Sequence, residues 1–157
     1  QFIKLLSPAR VIAVDTSEKC LRLASELGCD TTIVSDSAAA GKIMNFTHGK
    51  GVDGIIDLVG SDQTLQLAAK ISRPQGRISV VGMQGGSVKL GWNRVATSAE
   101  FALSLGSTRK DLREVCQLAL EGKLRIDIQR FSFSQIPDAY ELLRKGELTG
   151  RAVIVMD

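Results

Sequence analysis

The stretch Val11-Ile12-Ala13-Val14-Asp15 decides the fold class of this chain. Its first four residues are apolar and mostly β-branched, which is typical of a strand buried on both faces of a parallel sheet. Thr16 or Ser17 can cap a following helix, and Gly28 is a suitable residue to end it. The stretch therefore predicts the first strand–helix unit of an α/β fold.

The same alternation continues along the first half of the chain. It predicts further strands at residues 31–34, 52–59 and 77–82, with helices at residues 35–46 and 62–71 between them. Alternating strands and helices at this spacing indicate a parallel sheet covered by helices on both faces. Because the crossovers in such sheets are right-handed, we predict a doubly wound α/β fold.

The pattern changes after Gly82, where the regular alternation ends. We place a domain boundary near Thr108, so that residues 1–107 form one domain and residues 108–157 a small C-terminal α+β segment. The elements predicted in this part are a short edge strand at 87–90, a strand at 101–105, a helix at 111–120, a strand at 131–133, a helix at 134–144 and a final strand at 151–156.

The composition is that of an ordinary globular chain. Of its 157 residues, 44% are hydrophobic and 24% are charged, and the net charge is +3. This charge is small and scattered, so we predict no nucleic-acid partner; no apolar run is long enough to span a membrane. The chain begins with Gln1 and shows no secretory signal, which suggests a cytoplasmic protein and a fragment or processed chain.

Asp15 is the first residue that indicates a function. An acidic residue that ends such a strand can accept hydrogen bonds from the adenosine ribose of a dinucleotide, and its charge repels the extra phosphate of NADP. The alternative is a helix N-cap, because carboxylates are favoured at helix starts in any protein. The glycine-rich phosphate loop that normally precedes this residue is absent, and its expected place lies before Gln1.

Two further strands end in glycine. Val59-Gly60 and Val81-Gly82 each close an apolar run. Glycine at the carboxyl edge of a parallel sheet lets a ligand approach the backbone, although turns commonly use glycine as well.

Six segments follow one another in a specific order along the chain: Ala9 to Asp15, Glu26 to Asp30, Gly51 to Asp53, Gly76 to Gly82, Gly122 to Leu124 and Gly150 to Val155. This ordered set resembles the zinc-dependent medium-chain alcohol dehydrogenases, in particular their NAD-dependent members. The resemblance covers nearly the whole chain and implies the C-terminal, cofactor-binding portion of such a protein, with a Rossmann-type fold.

The resemblance also implies roles for single residues. Asp15 matches the ribose-binding acid, and Arg151 matches an arginine on the cofactor pyrophosphate, where a guanidinium can fork onto phosphate oxygens. Val59 and Gly60 match positions that line the adenosine and nicotinamide-ribose path. Val81, Gly82 and Met83 match the stretch whose backbone contacts the nicotinamide carboxamide. For Arg151 the alternative is a solvated arginine at the start of a strand.

We expect no catalytic or metal-ligating residue in this chain. In the family, the zinc that polarises the substrate oxygen is bound by a preceding catalytic domain, so this chain alone is expected to be inactive. His48 stands without a nearby cysteine or second histidine and is expected at a helix end or in a loop. Cys116 is expected in the core. Trp92 is expected as a packed aromatic, with an exposed anchor at an interface as the alternative. The three cysteines are too widely spaced for a disulfide framework.

The resemblance has two structural consequences. The central strand of the sheet would precede the glycine loop, which leaves a gap between the strands at Val11 and Val52; Ala152 to Val155 is a candidate to fill it. In the family, the segment matching Ser87 to Trp92 pairs with its twofold mate, so we expect a homo-oligomer, either dimer or tetramer.

Three functions are compatible with these observations. The first is hydride transfer between NAD and an alcohol or ketone in a full-length zinc enzyme. The second is a zinc-free quinone or enoyl reductase of the same superfamily, and Asp15 argues against the NADPH that such enzymes usually prefer. The third is a nucleotide-binding domain without catalysis, because a fold alone does not determine function.

Overall fold

The computed structural model describes residues 1–148 and 150–156, which divide into two compact units. The first unit, Gln1–Thr108, contains four helices and five strands among its described residues. The helices are α1 (Phe2–Leu6), α2 (Glu18–Glu26), α3 (Ala39–Phe46) and α4 (Asp62–Ile71). The strands are β1 (Ile12–Asp15), β2 (Thr31–Val34), β3 (Val52–Asp57), β4 (Ser72–Val80) and β5 (Glu100–Leu103).

Helices α2 and α4 begin where their capping residues predict. The Ser17 side chain accepts a hydrogen bond from the Cys20 backbone N–H at the start of α2. At the start of α4, Ser61 and Thr64 form a reciprocal capping box. These caps satisfy N–H groups that have no partner within the helix, which explains why both helices start at these points.

All strands of the first unit pair in parallel, which confirms the predicted doubly wound α/β class. β1 pairs with β2, while β3, β4 and β5 form a second sheet with β4 in the middle. In the part of the chain that the structure describes, β1 and β3 do not pair with each other. The strand order β2-β1 followed by β3-β4-β5 is the doubly wound order with its central position open.

One apolar core holds the two sheets of the first unit side by side. Ile33 from β2, Ile43 from α3 and Ile71 from α4 are all buried in it. Ile12 and Ile55, from β1 and β3, pack against the same cluster. A second cluster around the fully buried Ile78 packs β4 against α4. Burial of each large aliphatic side chain contributes roughly 1.5–3 kcal/mol to the free energy of folding. The two clusters therefore hold the strands in place, and with them the strand ends described below.

Several strand predictions are wrong in detail, and three of them bear on the site. β3 ends at Asp57, before Leu58, because the Asp57 carboxylate turns the chain there. β4 starts at Ser72 and contains the predicted break at residues 74–76 as a register irregularity; it ends at Val80. Residues 87–90 form no strand, because the Ser87 backbone N–H donates to the Asp62 carboxylate and no neighbouring strand pairs with the segment.

The first and second strands are also tied together at their amino ends. Asp30 accepts hydrogen bonds from the Val11 backbone N–H and from Lys4 Nζ. The Val11 N–H, followed by the Lys4 ammonium, lowers the pKa of the Asp30 carboxyl below its ordinary value. Since both donors favour the charged carboxylate, this contact links α1 to the loop between α2 and β2.

The second unit begins at Arg109. It contains α5 (Arg109–Leu120), β6 (Ile128–Ser132), a short 3-10 helix (Phe133–Gln135), α6 (Ile136–Lys145) and β7 (Arg151–Val155). β7 pairs in parallel with β6, so the hypothesis that residues 152–155 fill the gap between β1 and β3 is wrong. The start of this unit lies beside the predicted boundary at Thr108, and its assignment as a separate domain stays a prediction.

Two side chains expected in the interior are exposed. Cys116 lies on α5, and none of the residues of that helix is buried. Trp92 lies in the loop between β4 and β5 with 91% of its surface accessible, so it is not a packed aromatic. His48 follows α3 with a positive φ of 53°, in agreement with the expected loop position. Among the described helices, none has the length and apolar character needed to cross a membrane.

Candidate cofactor-binding site

The candidate site lies where the parallel strands of the first unit end. Asp15 is the last residue of β1, Asp57 the last residue of β3, and Val80 the last residue of β4. Ligands of open α/β sheets bind outside the carboxyl ends of the strands, at the point where the strand order reverses. In this fold that point is the position between β1 and β3.

Asp15 is partly buried at the junction of β1 and α2. Its Oδ1 accepts a hydrogen bond of 2.8 Å from the Ser17 backbone N–H. The Asp15 backbone oxygen accepts from the Ser35 N–H at 2.9 Å, which holds the ends of β1 and β2 together. Among the described residues, Oδ2 has no hydrogen-bond partner and is not buried. One carboxylate oxygen therefore fixes the turn while the other stays available to a ligand.

Asp57 connects the ends of β3 and β4. Its Oδ1 accepts two hydrogen bonds of 2.9 Å, from the backbone N–H groups of Val59 and Gly60. Its backbone oxygen accepts from the N–H groups of Val81 and Gly82, at 2.8 Å and 3.1 Å. Both turns predicted to contact the cofactor are therefore anchored on one residue.

The two turns are in direct backbone contact at their glycines. A Cβ placed on Gly82 would lie less than 3.0 Å from the backbone of Val59, and a Cβ on Gly60 would lie equally close to Gly82. Gly60 also has a positive φ of 70°, a conformation that side-chain-bearing residues rarely adopt. Glycine at both positions is thus required by the close approach of the two chains, in addition to any approach of a ligand.

The contact continues beyond the strands. Gln84 N–H donates to the Val59 backbone oxygen at 3.2 Å, and Gly86 N–H donates to the Gly60 backbone oxygen at 2.8 Å. A Cβ on Gly86 would collide with the Ser61 backbone. Residues 82–87 therefore run alongside residues 58–62. We call the two segments together, residues 57–62 and 80–87, the glycine platform.

The glycine platform presents apolar side chains at its surface. Val59 and Val81 are 39% and 42% exposed, and Met83 is 81% exposed. Gly60, by contrast, is buried against the second turn. A glycine-backed surface with exposed aliphatic groups offers both backbone atoms and apolar contact to a flat ring.

The structure brings most of the predicted residues together. Val59, Gly60, Val81, Gly82 and Met83 all belong to the glycine platform, and Asp15 ends the strand on the other side of the open position in the same unit.

Arg151 lies in the second unit. It is exposed at the start of β7, and its backbone N–H donates to the Asp127 oxygen at 2.9 Å. The proposed pyrophosphate contact of Arg151 stays a prediction.

Sequence reasoning missed Asp57 and Gly86. The signal for Asp57 was an acidic residue within the apolar run Ile55 to Val59, which is costly to bury without hydrogen bonds. Gly86 was interpreted as part of a turn with Gly85, and its backbone contact with Ser61 depends on the fold of both segments.

The described residues contain no candidate metal centre. No three His, Cys, Asp or Glu side chains within residues 1–148 and 150–156 are grouped so that they could hold an ion. The cysteines at positions 20, 29 and 116 are free.

Comparison with known proteins gives one consistent family. The family model described as "Zinc-binding dehydrogenase" matches residues 1–121. An "NAD-dependent alcohol dehydrogenase" of Sulfolobus acidocaldarius is 34% identical over 164 aligned positions, which cover 98% of this chain and 45% of that protein.

Solved structures agree with this result. The alcohol dehydrogenase of the archaeon Aeropyrum pernix superposes with a TM-score of 0.89 at 35% identity, over 98% of this chain and 45% of that one. The benzyl alcohol dehydrogenase of Acinetobacter calcoaceticus gives a TM-score of 0.87 at 26% identity, over 98% and 44%. The chain thus spans less than half the length of these relatives and corresponds to their C-terminal, cofactor-binding portion.

Proposed function

Because the chain belongs to the zinc-binding dehydrogenase family, we propose that it forms the cofactor-binding portion of an NAD-dependent alcohol dehydrogenase. We use "full-length protein" for a chain that contains these residues together with the remainder found in the relatives. In that protein, hydride would pass between NAD and an alcohol or ketone carbon. When bound, the nicotinamide cofactor supplies the hydride chemistry, and this chain supplies its binding surface.

The observation that carries the proposal is that Asp15 and the glycine platform lie on the two sides of one open position in the sheet. The free Oδ2 of Asp15 suits two ribose hydroxyl donors, and its negative charge disfavours a 2′-phosphate. The backbone groups and aliphatic side chains of Val59, Val81 and Met83 suit the nicotinamide end. Arg151 is proposed to bind the pyrophosphate, since it is exposed and a guanidinium can fork onto phosphate oxygens.

The proposal places zinc in the full-length protein and not among the residues of this chain. The described side chains do not fit a zinc site, because no suitable set of ligands is grouped among them. We therefore assign the metal and the proton-transfer groups to the part of the protein that precedes the glycine loop. The likeness to a Pseudomonas syringae quinone oxidoreductase, at 21% identity and a TM-score of 0.78, shows the fold alone.

We also propose that the full-length protein is a homo-oligomer. Trp92 and Leu103 are 91% and 90% exposed, and Leu90 is 64% exposed. β5 is an edge strand of its sheet in the described structure. An apolar surface beside an unpaired strand edge is a common site of symmetric association, because it removes both the exposed apolar area and the open edge.

The proposed function is tested by replacing the ribose-binding carboxylate. In the full-length protein, Asp15→Asn is expected to weaken NAD binding about tenfold, because the amide keeps the turn but loses charge-assisted hydrogen bonds. The preference for NAD over NADP is expected to shrink at the same time. The measurement is Kd for both cofactors by calorimetry, together with kcat/KM for a secondary alcohol.

The matched control is Glu18→Gln, which removes a negative charge from the first turn of the adjoining helix. This variant is expected to leave both affinities unchanged, because Glu18 is exposed and pairs only loosely with Arg22 at 3.8 Å. Equal affinity of the unaltered protein for NAD and NADP would remove the proposed role of Asp15. Failure to oxidise any alcohol with either cofactor would overturn the proposed reaction.

A further inference from the structure

Asp57 is the most deeply buried carboxylate among the described residues, and the proposed function assigns it no contact with the cofactor. Only 6% of its surface is accessible. Burying a carboxylate is costly unless hydrogen bonds compensate it. Here the compensation comes from two backbone N–H groups, those of Val59 and Gly60, which both donate to Oδ1. The Asp57 backbone oxygen accepts two more N–H groups, which tie the second turn to the same residue.

The same strand provides an informative contrast. Asp53, near the other end of β3, is exposed and forms an ion pair of 2.6 Å with Arg73. Asp57 has no cationic partner, and its Oδ2 is buried without a hydrogen bond in the described structure. An isolated carboxylate at such a position is unfavourable for stability alone, so its geometry has to be explained by what it holds in place.

We propose that Asp57 is a positioning residue that fixes the glycine platform in the geometry that receives the nicotinamide end of NAD. This inference rests on the proposed function. The carboxylate Oδ1 shapes the turn at Val59 and Gly60, and the backbone contact between Gly60 and Gly82 transmits that shape to the second turn. Asp57 therefore acts through the platform and does not touch the cofactor.

The location of Asp57 makes this role specific to one end of the cofactor. The adenosine end is assigned to Asp15, which belongs to β1 and the other sheet of the first unit. No hydrogen bond in the described structure links Asp57 to that sheet. A loss of the Asp57 carboxylate is therefore expected to weaken contacts to nicotinamide while contacts to adenosine and ribose persist.

The test compares NAD with ADP-ribose, which lacks only the nicotinamide ring. In the full-length protein, Asp57→Ala removes the acceptor for two N–H groups, and we expect the affinity for NAD relative to ADP-ribose to fall about tenfold. Asp57→Asn keeps a carbonyl oxygen at the same place and is expected to restore most of the ratio. Because ADP-ribose binding reports an intact fold, a general loss of structure would lower both affinities together.

Two further variants complete the experiment. Asp53→Ala, at the exposed end of the same strand, is the matched control and is expected to change neither affinity. If Asp57→Ala does not fold, Asp57→Ser is used instead, because its hydroxyl retains one short acceptor. Its affinity for NAD relative to ADP-ribose is expected to lie between that of the Asn variant and the value expected when nicotinamide adds nothing to binding. A ratio equal to that of the unaltered protein in the Ala or Ser variant would overturn the inference. Failure of the unaltered protein to bind NAD would overturn the proposed function instead.

Discussion

Replacing Gly82 with alanine is expected to destabilise the protein by about 3 kcal/mol or more and to abolish tight NAD binding. The new Cβ would lie less than 3.0 Å from the N, C and O atoms of Val59. All three are backbone atoms, so no flexible side chain can move aside to relieve the collision. The two turns of the glycine platform would have to separate.

The strain of the Gly82→Ala change comes from this contact and not from the backbone conformation at residue 82. Gly82 does not have a positive φ, so alanine could adopt its backbone conformation without strain. Separation of the turns would also break the hydrogen bonds from Val81 and Gly82 to the Asp57 oxygen. Stability and cofactor binding are therefore expected to fail together, because the same contacts support both.

The measurement is chemical denaturation of the full-length protein, followed by titration with NAD. Gly54→Ala is the matched control: Gly54 lies in β3, is exposed, has an ordinary φ, and has no atom within 4 Å of an added Cβ. This control is expected to be neutral or slightly stabilising, because glycine weakens a strand interior. Equal denaturation midpoints for the two variants would show that the close contact between Gly82 and Val59 does not contribute to stability in this way.

The sequence predicted those elements whose signals are local. The helix at residues 62–71 has the bounds that were predicted, because Ser61 caps its first turn and its apolar residues repeat at helical spacing. The strand at residues 31–34 was likewise predicted with its observed bounds. In both cases the residues that define the element are neighbours in sequence.

The features that escaped prediction depend on distant residues. β3 was predicted to continue through Val59, because Leu58 and Val59 are apolar; it ends at Asp57, whose carboxylate binds the next turn. Residues 87–90 have the pattern of a strand, yet Ser87 is bound to Asp62, and no neighbouring strand pairs with the segment. Periodicity describes what a segment can form, whereas pairing depends on what lies beside it.

The candidate site divides in the same way. Asp15 and the two strand-end glycines could be proposed from their places after apolar runs. The role of Asp57 and the contact of Gly86 with Ser61 required coordinates, because they join segments that are separated by a helix and a strand. The exposure of Trp92 could not be predicted from its type, since a tryptophan in a loop is compatible with packing or with an interface.

The open position between β1 and β3 gives the second large expected effect, in the exchange of backbone amides. The carbonyls of Val11 and Asp15 accept hydrogen bonds from the β2 side. Because backbone groups alternate between the two edges of a strand, the N–H groups of Ile12 and Val14 point towards the open position. The Asp57 backbone oxygen likewise accepts a hydrogen bond on the β4 side, from the Val81 N–H. The N–H of the preceding residue, Ile56, therefore points towards the same open position. Each of these edges lacks a partner strand in the described structure.

In the 157-residue chain alone, the amides of Ile12, Val14 and Ile56 are expected to exchange nearly as fast as in an unfolded chain. In the full-length protein, a central strand would pair with both edges and slow this exchange by about 1,000-fold or more, since paired strands in a core open only with much of the domain. The measurement is hydrogen–deuterium exchange resolved to single amides by NMR.

Ile78 provides the internal control for this experiment. It lies in β4, which is paired on both sides, and its side chain is fully buried. If Ile56 and Val14 are as well protected as Ile78 in the chain alone, the open position is closed by other means, and the doubly wound order does not require a further strand. If they are protected only in the full-length protein, the strand that carries the phosphate loop also completes the core. NAD binding by this chain would then depend on the preceding segment for two separate reasons, the missing loop and the unpaired edges beside Asp15 and the glycine platform.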